Sequence, residues 1–100
     1  MRKGYWIALV DVTDIEGYKG YIAANQAVFE KFGGRFIIRN GEKIVVEGSL
    51  RSRVVVIEFE DYQTALACYR SSEYRAAMSL RQPFSQGDIV VIEGYEELPA

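Results

Sequence analysis

The chain has 100 residues, a net charge of −2, 49% hydrophobic residues, one cysteine and no histidine. That length allows one domain, expected over residues 1–100. The acidic balance and scattered arginines argue against nucleic acid, which needs a clustered cationic footprint.

A chain of this size buries only about 60–65% of its unfolded surface and is marginal alone. The generous hydrophobic fraction therefore points to a second buried surface, a subunit interface. Without histidine the commonest general base and metal ligand are missing, so no metal and no cofactor is expected. The lone Cys68 forbids an intramolecular disulfide and fits a reducing cytoplasm. The apolar run after the basic start is short and contains Asp11, so no signal peptide is expected. No stretch approaches the roughly 20 apolar residues of a membrane span.

Tyr5 to Val12 is rich in β-branched and aromatic residues and reads as a strand. It is apolar on both faces, with Tyr5, Ile7 and Leu9 on one and Trp6, Ala8, Val10 and Val12 on the other. Such a strand is covered on both sides and sits centrally. Thr13-Asp14-Ile15-Glu16 has the form of a capping box, and a helix should follow to about Phe32. Its stripe is Ile15, Tyr18, Tyr21, Ile22, Val28, Phe29 and Phe32, at helical spacing. Gly33-Gly34 stops it.

Arg35 to Arg39 reads as the second strand. Asn40-Gly41 is a hairpin turn signal, with Lys43 to Glu47 as the expected return. Arg53 to Glu60 is the third long strand, and Asp61 caps a helix with Tyr62, Ala65, Leu66 and Tyr69 inward. Ser71-Ser72 breaks that helix and caps another, whose stripe is Tyr74, Ala77, Met78 and Arg81, closed by Pro83. Gln86-Gly87 turns into a last strand, Asp88 to Tyr95.

The order βα(ββ)βαβ is that of a ferredoxin-like α+β fold, an antiparallel sheet with its helices on one face. The other sheet face stays half apolar, with Val54 and Val56 on the third strand. A half-apolar face usually meets another protein. Two such sheets packed face to face form a dimeric α+β barrel, so the expected partner is a second copy of the chain.

Phe32 to Gly41, Val46-Glu47-Gly48, Arg53 to Phe59, Ala65, Tyr69 to Tyr74, Arg81 and Glu93-Gly94-Tyr95, in that order, resemble the domain of unknown function 1330 family. The resemblance covers nearly the whole chain. It implies the dimeric α+β barrel, a fold shared with antibiotic-biosynthesis monooxygenases, muconolactone isomerase and stress-responsive barrel proteins. It implies no particular reaction. Cys68 departs from the aromatic that the resemblance implies there.

Candidate ligand-binding residues come from polar groups on apolar faces. Asn25 lies on the apolar stripe of the first helix and reads as a pocket amide or as a buried, satisfied asparagine. Arg39, Glu47 and Arg53 flank the expected hairpin; the arginines read as an anion-binding pair, for instance for an organic acid, or as partners of an ion pair with Glu47 or Glu58 that fixes the hairpin or the dimer. Tyr69, Ser71, Tyr74 and Arg81 surround the helix break and read as a cleft mouth or as packing, a cap and an ion pair. Glu58 and Glu93 form a carboxylate dyad only if neighbouring strands bring them together; a salt bridge to Arg35 or Arg39 across the dimer is the plainer reading. Cys68 reads as a buried structural thiol.

The expected function is binding of a small organic molecule in a cleft between helices and sheet. The alternatives are cofactor-free enzymatic action, monooxygenase- or isomerase-like, on a small acidic or phenolic substrate, and a non-catalytic dimeric stress or regulatory module. A cleft lined by the polar candidates favours ligand binding; one filled by Tyr18, Tyr21, Phe29 and Tyr69 favours the accessory role.

Overall fold

The computed structural model describes residues 2–95; Met1 and residues 96–100, the ends of the expected domain, lie outside the described residues. The elements are β1 (Gly4–Val12), α1 (Ile15–Lys31), β2 (Arg35–Arg39), β3 (Arg53–Phe59), α2 (Tyr62–Arg70), α3 (Ser72–Arg81), a 3-10 turn (Gln82–Phe84) and β4 (Ser85–Glu93). The strands form one antiparallel sheet in the order β2-β3-β1-β4, with β1 in the interior as its two-sided apolar pattern requires. No helix among the described residues is long and apolar enough to cross a membrane.

Strand register sorts the side chains by face. Trp6, Ala8 and Val10 of β1 stand beside Val55, Ile57 and Phe59 of β3, and all are buried. Tyr5, Ile7 and Leu9 point the other way and stay half-buried, as do Val54 and Val56. Val90 and Ile92 of β4 pair with Ile7 and Tyr5 and complete this second, open face.

The core is aromatic and centres on Trp6. Its ring meets Tyr74 at 4.8 Å and Phe29 at 5.0 Å, both edge-on, the geometry that favours aromatic pairs. Its indole N–H donates to the Ala65 carbonyl at 2.8 Å and so ties α2 to the sheet without leaving a buried donor unpaired. Val28 and Phe29 of α1 and Ala65 and Cys68 of α2 fill the same layer. Cys68, not Leu66, occupies the inner face of α2, and burial pushes its thiol up to about 12. A thiol held protonated in this way is structural.

Several local readings change. The α1 cap is Asp14, whose carboxylate accepts from the amides of Glu16 and Gly17, so the box does not start at Thr13. Ile15 faces solvent, outside the buried stripe, whereas Asn25 is buried in it as expected. Lys43 to Glu47 forms no return strand; β2 pairs with β3 instead, and residues 40–50 make an exposed arm. Asn40, at φ 52°, turns the chain out of β2, and its side chain accepts from the Val54 amide at 3.2 Å. The arm begins there because the side chain closes the ladder that a hairpin would have continued. Gln86 and Gly87 belong to β4, paired with Asp11 and Val10, because the 3-10 turn at Pro83 delivers the chain to the sheet edge earlier than expected.

Candidate functional site

A cleft opens between the helical layer and the sheet. Trp6, Ala8, Val10, Val55, Ile57 and Ile89 form its floor from β1, β3 and β4, and Tyr18, Tyr21, Ile22, Asn25 and Phe29 of α1 form its roof. Phe36, Arg39, Arg53 and Arg81 complete the lining. The interior void is about 30 Å³. That is room for a water molecule or a few ligand atoms before side chains move.

Each polar lining residue arrives by a local rule. Asn25 sits one helical turn after Tyr21, so both face the sheet. It is 7% exposed, and its amide oxygen has no hydrogen-bond partner. A buried acceptor left unpaired is costly and rare in a folded protein. Arg53 precedes Val55 by two residues and pairs with Val10, which places it on the buried face of β3. Arg39 owes its place to a bulge. Phe36 pairs with Ile57 but Ile38 pairs with Val56, so Ile37 is the extra residue. Strict alternation would put Arg39 on the same face as Arg35; the bulge turns it to the cleft side. Its guanidinium rests 4.1 Å from the centre of the Phe36 ring.

Arg81, on the last turn of α3, donates from Nε to the Tyr74 hydroxyl at 3.2 Å. That hydroxyl shares a 2.8 Å hydrogen bond with Tyr21, in which either oxygen can donate. The guanidinium also lies 5.7 Å from the Tyr21 ring centre. Burial works against the Arg81 charge, but the Tyr74 hydrogen bond and the surrounding phenols outweigh it and raise the pKa above the ordinary value. Arg81 is therefore a fixed cation. Burial pushes the Tyr21 phenol well above its usual range, reinforced by Tyr74, so Tyr21 stays neutral. Burial also raises Tyr18, against the opposing charges of Arg53 and Arg81.

The sequence candidates divide by place. Asn25, Arg39 and Arg81 line one cleft, and Tyr74 reaches its edge through the hydroxyl shared with Tyr21. Ser71 stands at the start of α3, where its hydroxyl accepts from the Tyr74 amide at 3.0 Å and donates to the Cys68 carbonyl at 2.7 Å. Tyr69 packs against Trp6 and Tyr74, with its hydroxyl 3.9 Å from the Met78 sulfur. Neither Ser71 nor Tyr69 lines the cleft. Arg53, read from the sequence as one of an anion-binding pair, does line the cleft, whereas the sequence reads Tyr21 only as a residue that fills it. The signal for these places is alternation with Val55 for Arg53 and four-residue spacing from Asn25 for Tyr21.

Glu58 and Glu93 do not form a dyad. β1 separates their strands, and register puts Glu58 on the open face and Glu93 on the other. Glu58 instead accepts from Arg35 Nε at 3.0 Å and the Tyr5 hydroxyl at 3.1 Å within its own chain. Glu47 forms no ion pair with Arg39 or Arg53 among the described residues.

The strand order and the helices on one face define a ferredoxin-like α+β protein. The family model described as "Domain of unknown function (DUF1330)" matches residues 3–95, and the chain belongs to that family. Among solved structures it is similar to RPA0582, a protein of unknown function from Rhodopseudomonas palustris, at 20% identity and TM-score 0.73, over 98% of this chain and 85% of that one. It is also similar to SnoaB, a cofactor-independent oxygenase from Streptomyces nogalater, at 11% identity and TM-score 0.69, over the full length of both. A dimeric ferredoxin-like protein of unknown function from Thermobifida fusca aligns at 16% identity and TM-score 0.52, over 92% of this chain and 89% of that one. At these identities the likenesses show the fold alone. No curated protein matches the chain.

Proposed function

We propose that the chain works as a homodimer, joined through its open sheet face, and that each cleft between helices and sheet binds a small organic molecule. The observation that carries the binding reading is the Asn25 amide oxygen, buried at the cleft wall without a partner. The Asn25 side chain lies beside the Tyr21 phenol, and its buried oxygen, without a protein partner, can be satisfied by a ligand that supplies the missing donor.

The dimer reading rests on the exposed aliphatic surface. Ile38, Val90 and Ile92 on the open face are each nearly half exposed, and the arm adds Ile44 and Val46, each more than four-fifths exposed. Apolar area of this kind, contiguous along a sheet, is buried by a partner in soluble proteins. The dimeric neighbour from Thermobifida fusca supports it. Light scattering at micromolar concentration should return twice the 11.3 kDa chain mass, and Val56→Lys should return the single mass. A wild-type monomer at that concentration defeats the dimer.

A catalytic extension, cofactor-free oxygenation or isomerisation of a small acidic or phenolic substrate, is favoured by one observation: the SnoaB fold matches end to end. Oxygen uptake with a cleft ligand present tests it. The single buried thiol and the scattered charge support a cytoplasmic role without nucleic acid or membrane. The alternative role as a dimeric accessory module draws support from the small void and from Tyr18, Tyr21 and Phe29 along its wall.

A further inference from the structure

Three guanidinium groups, Arg39, Arg53 and Arg81, line the cleft, and its lining contains no aspartate or glutamate. None of the three pairs with a carboxylate among the described residues; the ion pairs there use Arg2, Lys19, Lys31, Arg35 and Arg51. Their contacts are with rings and phenols: Arg39 over Phe36, Arg81 with Tyr74 and Tyr21, Arg53 beside Tyr18. In a chain with a net charge of −2, this is a concentration of positive charge without a counter-ion. Arg53 and Arg81 are partly buried and Arg39 stands exposed at the rim, so the cleft offers guanidinium N–H groups that a carboxylate can take.

The Asn25 oxygen adds a second condition. A carboxylate has no hydrogen to give it, so a ligand that satisfies both must also carry an O–H or N–H donor. An ammonium group supplies such a donor but brings a cation among three others. A hydroxyl does not. The void of about 30 Å³ and the apolar floor limit the carbon body to a compact one.

We infer that the cleft takes a small hydroxy acid, with its carboxylate on the arginines and its hydroxyl donating to Asn25. This rests on the reading that the cleft binds a small molecule and adds the chemical class. The arginines fix the charge, the asparagine oxygen selects the neighbouring donor, and the apolar floor accepts the remaining carbons.

The test titrates the full chain with two matched sets, followed by backbone amide NMR shifts. One set is lactate, propionate and lactamide; the other is mandelate, phenylacetate and mandelamide. In each, the second compound lacks the hydroxyl and the third lacks the charge. At least one hydroxy acid should bind about tenfold or more tighter than both its relatives, a difference of about 1.4 kcal/mol, with shifts centred on Asn25, Arg53 and Arg81. Arg53→Gln, with unchanged circular dichroism, should reduce the acid to the affinity of its amide. Amides that bind the cleft as well as the acids overturn the anionic class and leave the cleft reading standing. Deoxy acids that bind as well as the hydroxy acids overturn the role of Asn25. Inorganic phosphate binding tighter than either hydroxy acid shows a general anion site and overturns the class. Cleft amides unmoved by all six compounds overturn both readings.

Discussion

Replacing Asn25 with leucine separates a binding residue from a structural one. Leucine keeps the branching and heavy-atom count of asparagine and has no polar side-chain atom, and its two methyl groups, bulkier than the amide, extend into the adjoining void. The wild-type oxygen is buried without a partner, and such an orphan costs about 1–3 kcal/mol. Asn25→Leu removes that cost and adds apolar contact with Trp6, Phe29 and Ile57, which share the lining. For a chain of this size about 1 kcal/mol moves the melting temperature by roughly 4–8 °C. The melting temperature of the ligand-free variant should therefore rise by at least about 4 °C, measured at one fixed protein concentration because a dimer's melting depends on it. Binding of hydroxy acids should fall at the same time. A gain in stability with a loss of binding is the pattern of a site residue held at a cost. A melting temperature lowered by several degrees would refute the reasoning, since it would mean that the asparagine oxygen has a stabilising partner in the free protein.

Gly4 of β1 is buried against the start of α2, and a Cβ there would lie 2.3 Å from the Asp61 carbonyl oxygen and 2.7 Å from the Tyr62 Cα. Gly4→Ala should lower stability by about 1–3 kcal/mol in urea unfolding, because backbone has to move; an unchanged midpoint contradicts that packing. Glu58 carries the pH dependence of the open face. Burial alone would raise its pKa, but hydrogen bonds from Arg35 and Tyr5 outweigh burial and hold it below the ordinary value. Its contribution is thus complete above about pH 5 and lost as pH falls through the ordinary glutamate value near 4.3 and below it. Glu58→Gln should flatten the fall in urea midpoint between pH 5 and pH 3, leaving the part due to Asp11 and Asp61, whose pKa values are also lowered. An identical slope in wild type and variant would show that the Glu58 hydrogen bonds do not persist in solution.

Much of the architecture was legible because periodicity carries it. The two-faced apolar pattern of Tyr5 to Val12 marked the interior strand, and Asp61 and Ser71 marked two helix starts that their side chains do cap. The missing return strand shows where local signals stop. Asn40-Gly41 has the composition of a hairpin turn, yet Asn40 spends its side chain on the Val54 amide, and β3 takes the edge that the hairpin would have used. Turn chemistry says that the chain bends; pairing partners far along the chain decide what it bends toward.

The candidate site divides in the same way. Asn25 and Arg81 were found because helical spacing alone places a polar residue on an apolar stripe. Ser71 and Tyr69 stood close to them in sequence, but their side chains are taken by the helix cap and the aromatic core. Arg39 reaches the cleft through the bulge at Ile37, a difference in residue count between two paired strands that neither strand shows by itself. Sequence alone determined the helices, the long strands with their two faces, and the family, because each follows from spacing within one segment or from motifs in order. Which guanidinium groups share a cleft, which carboxylates are parted by a strand, and how little room is left between the rings were decided only by tertiary structure. Those depend on register and packing between segments that are distant in the chain.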